Sequence, residues 1–256
     1  MRATRPRLFR RFWIAPIADV SAALEARIVQ AAQPFRACLL TVLGLLASWW
    51  IYVPIHELLH ALGCWATGGT VTELQIAPEY GGALLARLLP FVSAGGEYAG
   101  RLSGFDTHGS DLTYLATDAL PFVLTLLVGV PLLRACRRPG RPGVLGAALV
   151  LGLAPFYSLT GDYYEMGSIL VTRAVTALDA TVPLGPPTLA ALRSDDVLRL
   201  VVELWQRPAA LHLGGTAQWW LAALVVLGAQ LLAVVLACAT YAAGACLAPR
   251  PRSPDG

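Results

Sequence analysis

Charged residues are scarce in this chain of 256 residues, and lysine and asparagine are absent altogether. Only 14% of the residues are charged, against about a quarter in a typical soluble domain. Since 56% of the residues are hydrophobic, the composition excludes an ordinary soluble domain and predicts an integral membrane protein. The net charge of +3 is small, so nothing in the composition supports nucleic-acid binding.

Cysteine and histidine are also too few for several classes of metal or redox protein. The five cysteines form no Cys-x-x-Cys pair and mostly lie in or beside apolar runs. We therefore expect small buried side chains, without a disulfide framework or a zinc knuckle. Four histidines cannot supply the His-rich boxes of a membrane di-iron oxygenase.

Four long apolar runs predict an all-α integral membrane protein with about four transmembrane helices. The predicted spans cover residues 36–66, 111–133, 144–160 and 218–247. Arginines cluster within residues 2–11, 134–141 and 250–252, which this topology brings to one side. Because basic residues concentrate in cytoplasmic segments, both termini are predicted to be cytoplasmic, in a bacterial cytoplasmic membrane.

The remaining segments complete a four-part organisation: a basic or amphipathic N-terminal segment (1–35), a membrane core (36–178), an extracytoplasmic segment (179–216), and the last span with a cytoplasmic tail (217–256). A short insert follows the first span. In it, Thr70–Ile76 alternates like a strand, residues 81–89 are apolar and too short to span, and residues 95–104 predict a flexible loop. Residues 188–206 have helical apolar spacing and predict one outer surface helix.

The chemically informative motif is His56-Glu57-Leu58-Leu59-His60, near the end of the first span. Two histidines four residues apart lie on one helical face, where both imidazoles can bind one metal ion. A glutamate directly after the first histidine stands where a general base would meet a metal-activated water. Ionisable side chains in a membrane helix are costly and usually functional, so a structural role for both histidines is the weaker interpretation.

A hydrolytic zinc site needs a third protein ligand, for which the sequence offers three carboxylates. Asp162, after Gly161 at a predicted helix start, is the first choice, although a simple N-cap is the competing interpretation. Glu165 is the second choice. Asp118, in the outer half of the second span, is the third and fits a supporting contact better than direct ligation. His108 and His212 lie in predicted outer loops and are expected at the surface.

The motif in a membrane helix, the glycine-rich insert and the later Gly161-Asp162 resemble the site-2 protease family of intramembrane zinc metalloproteases. The resemblance covers about residues 36–178 and implies Zn²⁺ bound by His56, His60 and Asp162, with Glu57 as general base. It implies hydrolysis of a peptide bond in or near a transmembrane segment of a membrane protein. The chain departs from the family in two respects: the glycine precedes the aspartate, without the usual asparagine, and the arginines place the metal nearer the outside.

Two other functions are compatible with parts of the sequence. Asp118 and Asp162 could form an intramembrane aspartyl protease pair that shares a proton, but this leaves the histidines without a role. A metal-binding scaffold would hold a membrane partner without cutting it. Of the three functions, only the zinc metalloprotease requires Glu57 to act as a base.

Overall fold

The computed structural model describes residues 5–178 and 184–248, with side chains from residue 12 onward. The arginines predicted in the C-terminal tail, Arg250 and Arg252, lie outside the described residues, as do residues 1–4 and 179–183. The elements in chain order are α1 Arg5–Leu24, α2 Pro34–Ala66, β1 Thr70–Ile76, α3 Gly82–Leu88, β2 Val92–Ala94, β3 Gly100–Asp106, α4 Asp111–Ala119, α5 Val130–Ala135, α6 Pro142–Tyr157, α7 Asp162–Ala177, α8 Pro186–Ala191, α9 Val197–Gln206 and α10 Thr216–Leu247.

Within the described residues, four helical segments are long and apolar enough to cross a membrane, which confirms the predicted fold class. They are Pro34–Ala66, Asp111–Ala135, Pro142–Thr160 and Thr216–Leu247. The first has 33 residues and is about 50 Å long at 1.5 Å per residue, well beyond the roughly 30 Å hydrocarbon core. The second is a composite of α4, a 3₁₀ turn, a π-helical turn and α5.

The chain divides into two compact units, one formed by residues 1–155 and 238–256 and the other by residues 156–237. In the first unit, helices come into close contact where one of them has a glycine, which has no side chain to hold its neighbour away. A Cβ at Gly44 would overlap the carbonyl of Gly143, and the Thr41 hydroxyl donates a hydrogen bond to the Pro142 carbonyl at 3.2 Å. The first and third spans therefore begin at the same end of this unit.

A buried carboxylate ties helix α1 to the end of the second span. Asp19 is 6% exposed, and its oxygens lie 3.4 Å from Arg134 Nε and 3.2 Å from Arg137 Nη1. The buried Tyr241 hydroxyl donates to Asp19 Oδ2 at 2.9 Å. The guanidinium of Arg27 donates to carbonyls at the same helix end, including that of Cys136. These contacts collect α1, the end of span two and the end of span four at one end of the unit.

Replacing this carboxylate is expected to destabilise the first unit. Asp19→Ala removes the carboxylate that accepts from the buried Tyr241 hydroxyl and pairs with Arg134, which should lower the free energy of unfolding by about 2–3 kcal/mol. Partial exposure of the arginines keeps the loss at the lower end of the range for buried pairs. Denaturant unfolding in micelles measures it. The matched control is Glu25→Ala, an exposed acid just after α1, expected within about 0.5 kcal/mol of wild type. Equal losses in both variants would contradict this role for Asp19.

The insert after the first span folds into a three-stranded sheet with strand order β2-β1-β3. Strand β1 pairs in parallel with β2 and antiparallel with β3. The predicted strand at Thr70–Ile76 is confirmed, and the apolar piece that follows it forms the short helix α3. The prediction of a flexible loop over residues 95–104 is wrong from Gly100 onward, because pairing with β1 imposes a strand on a glycine-rich segment of low strand propensity.

A carboxylate on the sheet is held in its ionised form by its neighbours. Hydrogen bonds from Ser93, Gln75 and Ser103 lower the pKa of the Glu73 carboxyl. A lowered pKa in the folded state stabilises the fold above the ordinary pKa of a glutamate, and this contribution is lost as the pH falls through the folded-state value. The contribution of Glu73 to folding stability is therefore present at neutral pH and lost in acid.

The second unit has its own apolar core, which Tyr164 of α7 shares with α8, α9 and the first part of α10. The prediction of one helix over residues 188–206 is wrong, because the segment forms two helices, α8 and α9, with a break between them. Asp196 causes the restart: its side chain accepts a hydrogen bond from the backbone N–H of Arg199 at 3.0 Å, the geometry of an N-cap.

Candidate metal centre

His56, Glu57 and His60 form a compact group on the C-terminal half of α2. One potential ligand atom from each lies within 4.8 Å of the others. The two imidazoles meet edge to face, and their Nε2 atoms are 3.1 Å apart. Two nitrogens bound to one tetrahedral zinc ion lie about 3.3 Å apart, because each Zn–N bond is about 2.0–2.1 Å long. The donor set and its spacing therefore fit a single metal ion.

Each histidine is oriented through its other ring nitrogen. His60 Nδ1 lies 2.8 Å from the Thr117 carbonyl, which can only accept, so Nδ1 donates this hydrogen bond and Nε2 is the nitrogen left to bind a metal ion. His56 Nδ1 lies 2.7 Å from the hydroxyl of the buried Tyr52, one helical turn earlier. The ring of Phe122, in the 3₁₀ turn of span two, packs nearly perpendicular to the His56 ring. Such contacts set the tautomer and the ring orientation of metal-binding histidines.

A glycine one turn after His60 allows the second span to approach. A Cβ at Gly63 would lie 2.5 Å from the Ala116 carbonyl oxygen and 3.0 Å from Thr117 Cα, closer than real Cβ atoms come to backbone. Helix α4 therefore lies directly on α2 at this level. That close approach brings the Thr117 carbonyl to His60.

Gly63→Ala is expected to weaken metal binding without touching a ligand. The added methyl must push α4 away, which lengthens the bond from His60 to the Thr117 carbonyl. Loss of such a supporting contact typically costs about ten- to a hundredfold in metal affinity, and we expect a loss in this range. Competition with a chromophoric chelator measures the metal affinity. The control is Gly228→Ala in α10, where the new Cβ would make an ordinary contact of 3.9 Å with Val171. Unchanged metal affinity in Gly63→Ala would contradict this account of the helix contact.

Glu57 lies against the sheet of the insert. A Cβ at Gly100, the first residue of β3, would overlap the Glu57 side chain. The β3 backbone thus lies in van der Waals contact with the predicted base, and any side chain at position 100 would displace it. Strand β3 lies at one edge of the sheet and borders the candidate site through this contact.

The carboxylates considered as third ligand are distributed over both units. Asp118 is buried in α4 of the first unit, directly after Thr117. Asp162 is the first residue of α7 in the second unit, and Glu165 is buried one turn later on the same helix. The assignment of Asp162 as third ligand remains a prediction, with Glu165 and Asp118 as its alternatives.

The two other histidines are exposed in left-handed backbone conformations, as expected for loop residues. His108 Nδ1 lies 3.3 Å from Asp106, which it follows by two residues. Sequence reasoning missed five residues that shape the site: Tyr52, Gly63, Gly100, Thr117 and Phe122. Only Tyr52 carried a signal, since a residue four positions before His56 lies on the same helical face.

Comparison with known proteins returned no matching family model, no matching curated protein and no matching solved structure.

Proposed function

We propose that this protein is an intramembrane zinc metallopeptidase that hydrolyses a peptide bond in or near a transmembrane segment of a membrane-protein substrate. The observation that carries the proposal is the facing pair of Nε2 atoms, 3.1 Å apart, with Glu57 beside them on a membrane helix. His56 and His60 would hold the ion, and Asp162 is the proposed third ligand. A zinc ion held there would supply a Lewis acid, which would lower the pKa of a water molecule to about 7.

Side chains and one backbone carbonyl of this protein would have the remaining roles. Glu57 accepts a proton from the attacking water and delivers it to the leaving amine, as a general base and then a general acid. Tyr52 and the Thr117 carbonyl hold the two imidazoles in place. An intact substrate helix hides its carbonyls, so the substrate must unwind locally before it reacts.

The position of the site along α2 supports a location in the outer half of the membrane. His56 follows Pro34 by 22 residues (56 − 34), which is about 33 Å along the helix axis. The arginines at the end of span two lie near the start of α2. Arg27, which precedes α2 in the chain, donates hydrogen bonds to the carbonyls of Cys136 and Arg141 just after the end of span two. We propose that this arginine-rich end faces the cytoplasm of a bacterium, with both termini on that side.

Metal analysis of the purified full-length protein tests the proposal. After purification in zinc-containing buffer and removal of loosely bound ions, we expect about one zinc ion per chain, because the two Nε2 atoms and a carboxylate can complete one site. Elemental mass spectrometry measures the stoichiometry. A wild-type protein that retains no zinc, while folded by circular dichroism, would refute the proposed function.

A further inference from the structure

Helix α9 has three distinct faces, each covering about a third of its circumference at 100° per residue. The first face is buried: Val197, Leu200 and Leu204 are at most 5% exposed and pack into the apolar core of the second unit. This face explains how α9 is attached to its own unit. It does not explain the rest of the helix.

The second face is apolar and yet exposed. Leu198 is 65% exposed, Trp205 is 76% exposed, and Val201 and Val202 are about half exposed, at 47% and 49%. The positions i, i+3, i+4 and i+7 form one continuous stripe along the helix. A contiguous apolar stripe of this kind marks a surface that is covered in the working protein.

The third face is charged and open to solvent. Arg199 and Arg207 both pair with Glu203, at 3.3 and 3.4 Å, and the side chains of both arginines are about two-thirds exposed. This face borders the exposed apolar stripe on one side and the buried face on the other. A helix with this order of faces fits a position where protein, lipid and water meet.

The neighbours of α9 place it at the level of a span end. The indole N–H of Trp219 donates to the Leu204 carbonyl at 2.8 Å, and Trp219 lies in the first turn of the membrane-spanning α10. The rings of Trp205 and Trp219 are 6.2 Å apart, and those of Trp219 and Trp220 are 4.7 Å apart. A row of indoles at the end of a span is typical of the membrane–water interface.

We propose that α9 is an interfacial helix, with the apolar stripe of Leu198, Val201, Val202 and Trp205 resting in the boundary between lipid headgroups and acyl chains. The occupant of the stripe is the bilayer itself. Two observations favour lipid: the row of indoles that continues the stripe to the first turns of α10, and the charged face turned to water beside it. The proposal depends only on the second unit and not on the metal site.

Quenching of Trp205 fluorescence tests the occupant. The full chain is reconstituted in nanodiscs of zwitterionic lipid, and subtraction of the Trp205→Phe spectrum isolates the Trp205 emission. Lipids brominated near the top of the acyl chain are expected to quench most of this emission, whereas aqueous iodide should quench little of it. Quenching by iodide alone would show a water-exposed stripe, and protection from both quenchers would show a protein occupant. Either result would overturn the proposal.

A matched pair of variants tests the same surface by hydrogen exchange. Val202→Glu places a charge in the apolar stripe, and Gln206→Glu places the same charge on the exposed polar face one turn later. Losing the burial of one valine should speed amide exchange in α9 about tenfold in nanodiscs, while Gln206→Glu leaves it unchanged. Equal exchange in the two variants would contradict an interfacial position.

Discussion

Glu57→Gln is expected to abolish peptide-bond hydrolysis while the protein keeps its zinc. The amide has nearly the same shape as the carboxylate but cannot accept the proton of the attacking water, and losing a general base costs about a hundred- to ten-thousandfold in rate. The two histidines and their contacts to Tyr52 and Thr117 do not involve the Glu57 side chain, so the metal site should survive.

Because the substrate is unidentified, the measurement compares membranes from cells that produce wild-type protein with membranes from cells that produce Glu57→Gln. Mapping of new peptide termini by mass spectrometry should find termini in or beside transmembrane segments only with the wild type. Zinc content of both purified proteins serves as the control. If Glu57→Gln preserves every cleavage and every phenotype of the wild type, the protein is a metal-binding scaffold and not a peptidase.

His56→Ala is expected to remove zinc altogether. Two imidazoles and one carboxylate are the fewest protein ligands that a hydrolytic zinc site uses, and loss of one leaves too few to retain the ion through purification. His60 would keep its bond to the Thr117 carbonyl, so the contact between α2 and α4 should persist. Elemental analysis measures the zinc, and circular dichroism checks the fold.

A graded variant distinguishes loss of a ligand from general damage. Tyr52→Phe removes only the hydroxyl that holds His56 Nδ1, and the buried ring stays in place. A tenfold to hundredfold weaker affinity for zinc, roughly the range for a lost supporting hydrogen bond, is expected, with full occupancy at high zinc concentration. His212→Ala, an exposed histidine in the second unit, is the matched control and should bind zinc as the wild type does. If His212→Ala loses zinc as His56→Ala does, the proposed ligand set is wrong.

Much of the architecture is readable from local sequence because the bilayer imposes a simple rule. A helix that spans the bilayer must be long and apolar, because the hydrocarbon core offers no water and the backbone hydrogen bonds must be made within the helix. The four spans and the strand at Thr70–Ile76 therefore follow from runs and alternation of apolar residues. The candidate metal ligands His56 and His60 share a helical face for the same local reason, since i and i+4 always do.

Contacts between distant segments followed no local rule. Strand β3 exists because β1 supplies its hydrogen bonds, although Gly100 and Gly104 argue against a strand locally. The interruption before Asp196 that separates α8 from α9 also became visible only in the structure.

The sequence by itself determined the membrane fold and brought His56, Glu57 and His60 together, because both depend on residues close in the chain. Only the tertiary structure decided which groups orient those side chains: Thr117 reaches His60 across 57 residues, and Gly100 lies on Glu57. The physical reason is packing. A missing Cβ at Gly63 or Gly100 has no local signature, and its effect appears only when a second segment occupies the space.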